Sequence, residues 1–158
     1  AIELAEAWGF KVRTMKGFTW VKFNPLAEQH INKALQAGCV EDFYDFLDLL
    51  NVHTRMNGGN YTRANTEDLL IATRGNGLER KCASIKQVIY SPLGEHSQKP
   101  AEARFRLEKL YGDVPRIELF SRCGAPGWDH WGNQSESPAV ELIPAVAVPM
   151  KKQQERAA

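Results

Sequence analysis

Pro115-Arg116-Ile117-Glu118-Leu119-Phe120-Ser121-Arg122, then Cys123-Gly124-Ala125-Pro126, then Gly127-Trp128-Asp129-His130-Trp131-Gly132-Asn133-Gln134, is the stretch on which the reading of this chain turns. It opens as a short buried strand, with Ile117 and Leu119 on one face and Glu118 and Phe120 on the other. A core strand ordinarily carries no carboxylate at its centre, so Glu118 is out of place in a purely structural strand. The strand ends at Arg122, breakers follow, and Trp128, Trp131 and the Asn133-Gln134 pair arrive within one short loop. An apolar wall, a planar cation, aromatic plates and amides thus meet at the carboxyl edge of a sheet, where open α/β folds bind their ligands. A packed loop whose tryptophans plug the sheet edge has the same composition, and the residues alone leave both readings open.

Upstream, His96-Ser97-Gln98-Lys99-Pro100 leads into the clearest helix in the chain. Pro100 suits a first turn. Ala103, Leu107, Leu110 and Tyr111 share one face, while Glu102, Arg104, Arg106, Glu108 and Lys109 fall on the solvent side, and Gly112 stops the helix. Helix, short link and strand make half of an α/β unit and favour parallel pairing. Lys99 opposes the helix dipole at this position, which is explained either by an anion that it holds or by simple exposure.

Toward the N-terminus, residues 2 to about 8 form a short helix closed by Gly9. Residues 10–14 and 17–23 read as two extended segments, and Asn24-Pro25 ends the second. Between Leu26 and Leu50 the period becomes helical. Ala27, Ile31, Ala34 and Leu35 share a face, Gly38 interrupts, and Glu41 or Asp42 starts a second helix with the stripe Phe43, Phe46, Leu47 and Leu50. This helical hairpin, at about 26–56, is inserted between strands, its stripe serving as core cover or as a partner surface. Residues 51–65 form a loop in which Gly58-Gly59 permits close backbone approach and Tyr61 and Arg63 are able to stack or to bind phosphate; a plain flexible turn fits as well. Strands follow at 67–73 and 85–90, and two strands so far apart in sequence can still be antiparallel neighbours. Residues 135–158 lose all pattern and read as a poorly ordered tail or an arm laid on the domain.

The 158 residues suffice for one domain with one hydrophobic core. Lysine and arginine total 20 against 19 acids, a net charge of +1, so no global basic field marks a nucleic-acid binder, although a local face still can. Cys39, Cys82 and Cys123 read as free thiols in a reducing, cytoplasmic compartment. No apolar run has the length of a membrane span, and no signal-peptide pattern opens the chain. His30, His53, His96 and His130 lack partners at metal-ligand spacing, so no metal is expected. Phosphate-loop, nucleophile-elbow and dinucleotide fingerprints are absent. The coherent cluster is His96, Lys99, Phe120, Arg122, Asn133 and Gln134, with Trp128 and Trp131 nearby. Cations with amides suit a zwitterionic or nucleoside-bearing ligand, and a reaction driven mainly by positioning.

Several blocks, in order and spacing, carry a resemblance. They are Gly17-Phe18-Thr19-Trp20-Val21-Lys22-Phe23-Asn24, the run from Asn60 to Gly75, His96-Ser97-Gln98-Lys99-Pro100, residues 115–122, and residues 127–134. Over most of residues 1–134 the chain resembles the MT-A70-like S-adenosylmethionine-dependent adenine N6-methyltransferases, especially the phage and prophage DNA members. The resemblance implies an α/β fold with a Rossmann-like methyltransferase sheet in permuted order, incomplete at the N-terminus, whose cofactor strand is 117–120. It implies that Lys99 binds the methionine carboxylate of S-adenosylmethionine, that Phe120 and Arg122 border the cofactor together with His96, and that Asn133 and Gln134 contact its adenosine part. Tyr61, Thr62, Arg63 and Asn65 fall on the substrate side. The implied reaction moves a methyl group to N6 of an adenine in DNA, which in a duplex demands extrusion of the base.

Two departures from the family pattern stand out. No Asp-Pro-Pro-Trp occurs in these residues, and Ala1 opens directly into a helix pattern. The expectation is therefore a partial methyltransferase domain over 1–134, lacking its N-terminal portion and unable alone to methylate adenine. The helical segment at 26–56 exceeds the bare family core, and either shapes target recognition, packs on a second subunit or partner, or is a surface elaboration. The rival expectations are an inactive methyltransferase-like domain that binds nucleic acid or protein, and an enzyme acting on RNA.

Overall fold

The computed structural model describes residues 2–95 and 98–133. They divide into two compact units, the first ending at Asp113 and the second beginning at Val114. The first unit is organised around β1 (Lys11–Phe23), the middle strand of a three-stranded sheet with the order β2-β1-β3. The two extended segments expected over 10–23 are one strand. Its register against β2 (Thr66–Thr73) shifts between Val12 and Thr14 and again between Thr14 and Phe18, so bulges, not a turn, explain the broken alternation. The β1–β2 pairing is antiparallel, with Phe18 opposite Leu69 and Trp20 opposite Glu67. β3 (Val88–Pro92) runs parallel to β1, Trp20 pairing with Ile89 and Phe23 with Pro92. Pro92 is tolerated at the end of this strand because its missing N–H faces an edge.

Phe18 and Trp20, two residues apart on β1, point to one face and join Ile89 and Ala103 in the buried core; Leu69, Ile85, Leu93 and Leu107 pack around them. The indole N–H of Trp20 donates to the Ser91 carbonyl at 2.9 Å, so the buried ring leaves no polar atom unpaired. α4 (Ala101–Tyr111) covers this face, and the small Ala103 lets the helix come close to β3. Gly112 ends α4 at φ 72°, a conformation that suits glycine. Arg106 departs from its expected solvent position. It is half-buried, and its guanidinium donates to the Val88 carbonyl at 2.7 Å and to Glu102 at 2.7 Å. Its long stem carries the charge from the helix surface back to the backbone of β3.

α1 (Ile2–Ala7) precedes β1, and α2 (Ala27–Gln36) and α3 (Phe43–Val52) occupy the expected helical stretch. Asp42 caps α3, its carboxylate accepting from the Tyr44 and Asp45 amides at 2.7 and 3.0 Å. None of α3 is fully buried. Phe46 and Leu50 of the anticipated stripe are half-buried, whereas Phe43 and Leu47 are exposed.

In the second unit β4 (Ile117–Leu119) pairs in parallel with β5 (Asp129–Trp131). The expected buried strand over 117–120 is shorter and more open. Ile117 and Leu119 are 41% and 43% exposed, and Phe120 leaves the strand with φ 60°. A two-stranded ribbon has too little width to bury a strand on both faces.

Candidate functional site

Because β1 and β3 are parallel, their carboxyl ends, Lys22-Phe23 and Ser91-Pro92, finish at the same edge of the sheet. β2 is antiparallel to β1, so its first residues, Thr66 and Glu67, begin at that edge too. A cleft of about 480 Å³ opens there; its walls include Trp20, Lys22, Arg55, Glu67, Gln98 and Lys99. The location follows the general rule for parallel strands, since loops leaving their carboxyl ends diverge and leave a crevice.

Glu67 is the electrostatic centre of the cleft. Its Oε2 lies 2.7 Å from the Lys22 ammonium, and its Oε1 accepts from Lys99. Burial pushes the Glu67 carboxyl up, but hydrogen bonds from Lys22 and Lys99, together with their charges, outweigh burial and hold it below its ordinary value. Glu67 is therefore ionised at neutral pH. Lys22 is the more enclosed partner, its side chain 15% exposed against 50% for Lys99. The Lys22 ammonium also lies 5.3 Å from the centre of the Trp20 ring, a cation–π arrangement.

The segment from Thr54 to Asn65 is stitched to the end of β1. The Arg55 amide donates to the Lys22 carbonyl at 2.6 Å, and the Lys22 amide donates to the Asn65 carbonyl at 2.9 Å. The Asn65 side chain donates to the Thr54 hydroxyl at 3.2 Å. Asn57, a cleft residue, donates its amide to the Ala64 carbonyl at 2.9 Å and so closes the intervening loop at its base.

Lys99, singled out in the sequence for an anion, stands in this cleft with one anion already supplied by the protein, Glu67. Asn65 belongs to the strap beside the cleft, whereas Tyr61, Thr62 and Arg63 are exposed at the loop tip. Phe120, Arg122 and Asn133 belong to the second unit. There the Phe120 ring meets Trp131 edge-on with 5.6 Å between centroids, the Ser121 amide donates to the Trp131 carbonyl at 2.9 Å, and Arg122 and Asn133 are exposed. His96 and Gln134 lie outside the described residues. Sequence reasoning passed over Lys22, Arg55, Glu67 and Gln98. A lysine at a strand end, Lys22, and an acid at the start of an apolar strand, Glu67, are weak local signals, and neither shows that the two side chains meet.

A larger hollow of about 600 Å³ is lined mainly by apolar groups such as Phe10, Leu70, Leu78 and Leu107, with Arg74 its one charged wall residue among those described. It has no converging charges, which leaves the smaller cleft as the candidate site. Among the described residues no group of three or more His, Cys, Asp or Glu side chains is arranged to hold a metal ion. No described helix is long and apolar enough to cross a membrane. Cys39, Cys82 and Cys123 are free thiols.

Mixed strands with flanking helices and a crevice at the carboxyl ends of parallel strands define a methyltransferase-like α/β fold. Residues 48–134 match the MT-A70 family, more than half of the 158-residue chain, and the chain belongs to that family. It is also 27% identical, over 143 residues, to the Type II methyltransferase M.MunI of Mycoplasma sp; the match takes in 90% of this chain and 48% of the relative. The chain thus spans about half the length of the curated relative it matches.

Proposed function

We propose that this chain is the cofactor- and substrate-binding part of a methyltransferase that moves a methyl group from S-adenosylmethionine to N6 of adenine in DNA. The carrying observation is the cleft at the carboxyl ends of β1 and β3, where Lys22 and Lys99 pair with Glu67 and Arg55 lines the wall. The donor set fits the cofactor. A zwitterionic amino-acid moiety needs a cation for its carboxylate and an acid for its ammonium, and the walls provide both in Lys99 and in Glu95. A volume of about 480 Å³ lies in the range of small-molecule sites, and Pro25 and Leu93 add apolar surface. When bound, the cofactor supplies an electrophilic methyl group on a sulfonium centre.

In this reading Lys99 holds the carboxylate, and Glu67 and Lys22 keep the cleft ordered. Phe120, Arg122 and Asn133 are proposed as cofactor contacts on the family resemblance, as are His96 and Gln134. Residues 1–134 then act as one functional portion carrying the helical segment at about 26–56, with 135–158 as a tail. Tyr61, Thr62, Arg63 and Asn65 serve the nucleic-acid side, and the Type II designation of the relative favours DNA as the polymer. The net charge of +1 means that duplex contacts come from a local face. These 158 residues hold no Asp-Pro-Pro-Trp, the family's loop for orienting the acceptor nitrogen, so we propose that they bind cofactor without transferring its methyl group.

The test has two arms. Calorimetric titration of S-adenosylmethionine into this chain should show binding that Lys99→Ala weakens; no binding by the unsubstituted chain sinks the proposal. Tritiated methyl transfer to adenine-containing DNA and RNA should be undetectable with this chain alone. With a protein carrying the acceptor loop it should appear on DNA, and transfer to RNA alone would replace the substrate assignment.

A further inference from the structure

Among the described residues the most exposed large apolar side chain is Tyr61, whose relative exposure reaches 103%. Tyrosine ordinarily buries much of its ring, so full display of one is informative. The loop that displays it is built. The Asn57 amide closes it on the Ala64 carbonyl at 2.9 Å. A Cβ at Gly59 would fall 1.9 Å from the Thr62 carbonyl oxygen, so only glycine lets the chain fold back that tightly. The loop springs from Asn57, in the wall of the cleft, and returns through Asn65, whose carbonyl is bonded to the Lys22 amide. The loop that carries Tyr61 is therefore anchored at both ends beside the cleft. Arg55, in the cleft wall, precedes the loop in sequence, and exposed Arg63 lies within it, so two cations accompany the ring.

We propose that Tyr61 is a wedge for double-stranded DNA: it inserts into the stack at the position that an extruded base leaves and holds that gap open. The proposal rests on the reading of the cleft as the site of adenine methylation. Extrusion breaks stacking on both sides of the vacated position, and an aromatic ring restores part of it without regard to sequence. A ring on a loose loop would first have to be ordered, whereas this loop is already closed at its base and pinned by Gly59. Arg63, two residues on, is placed to meet the backbone phosphate beside the inserted ring. Tyr61 touches neither cofactor nor reacting atoms in this scheme; it is a positioning residue.

A duplex containing one abasic site presents the same gap without any target sequence, and this is the probe. Fluorescence anisotropy with a labelled abasic duplex and its fully paired counterpart should show that the full chain prefers the abasic one by about ten-fold. Tyr61→Ala should remove that preference, and Tyr61→Phe and Tyr61→Trp should retain it. Gly59→Ala, which keeps the ring but disturbs its loop, should reduce it. A wild-type chain without the preference, or a Tyr61→Ala chain that keeps it, overturns the proposal. S-adenosylmethionine titrations on the same proteins separate the two levels. Cofactor binding without abasic preference removes the wedge alone, whereas failure to bind cofactor removes the reading on which it stands.

Discussion

Replacing Glu67 by glutamine keeps the shape of the cleft and removes its one doubly paired charge. The enclosed Lys22 ammonium loses the carboxylate 2.7 Å away, and the half-exposed Lys99 loses its partner and turns to water. A charge-assisted hydrogen bond in partly buried surroundings contributes about 1.5–3 kcal/mol, and an exposed ion pair about 0–1 kcal/mol. Glutamine still offers one acceptor, so the net loss at neutral pH is about 1–2 kcal/mol. For a chain of this size that lowers the melting temperature by about 3–6 °C. The loss depends on pH in a defined direction. The folded pKa of Glu67 lies below its ordinary value of 4.5, so the carboxylate's contribution is complete above that value and fades as pH falls through the folded pKa. Urea unfolding of wild type and Glu67→Gln, followed by tryptophan fluorescence at neutral pH and in steps down to acid, should give two stability curves that converge below pH 4.5. Curves that stay parallel through that range, or coincide at neutral pH, would refute the assignment of Glu67 as an ionised anchor for two lysines.

Other substitutions separate binding from folding. Lys99→Ala should lower S-adenosylmethionine affinity in calorimetry by about 10–100-fold, the worth of a charge-assisted contact. Because its side chain is 50% exposed, the same variant should change unfolding free energy by no more than about 1 kcal/mol. Trp20→Ala, at 2% exposure in the middle strand, should cost about 3–5 kcal/mol in urea unfolding, enough to abolish cooperative folding of a marginal domain. Asp42→Ala removes the cap of α3 and should cost about 0.5–2 kcal/mol, with a loss of helical ellipticity at 222 nm or thereabouts.

Legibility in the sequence followed the range of the interactions. The helix over 101–111 and a helix start at Glu41 or Asp42 rest on neighbours within a turn or two, and both stand out in the residues alone; the structure gives the cap to Asp42. The family, too, was legible, because its blocks keep their order and spacing. The cleft was not. Lys22, Glu67 and Lys99 are separated by 45 and 32 positions (67 − 22 and 99 − 67), and they meet only because β2 returns antiparallel to β1 while β3 runs parallel to it. No local pattern announces that combination. Arg106 escaped for a different reason: helical periodicity places its Cα on the solvent side but says nothing of a guanidinium that reaches back to the Val88 carbonyl.

The two lysines on Glu67 are unequal, and the inequality bears on how the cleft can accept a ligand. A site whose only cation is spent on a protein carboxylate resists an incoming anion, because exchange strands the protein carboxylate without a partner. Here Lys22 is enclosed, lies 5.3 Å from the Trp20 ring centre and pairs with Glu67 Oε2, an oxygen that Lys99 does not use. In the cofactor role proposed for it, Lys99, on the half-exposed side, would turn toward the ligand carboxylate while Lys22 remains paired with Glu67. Glu67 in turn keeps Lys99 near the cleft instead of in solvent before the ligand arrives. Ordering the lysine in advance and releasing it at small cost are properties of the three side chains together, and neither lysine alone beside Glu67 would have both.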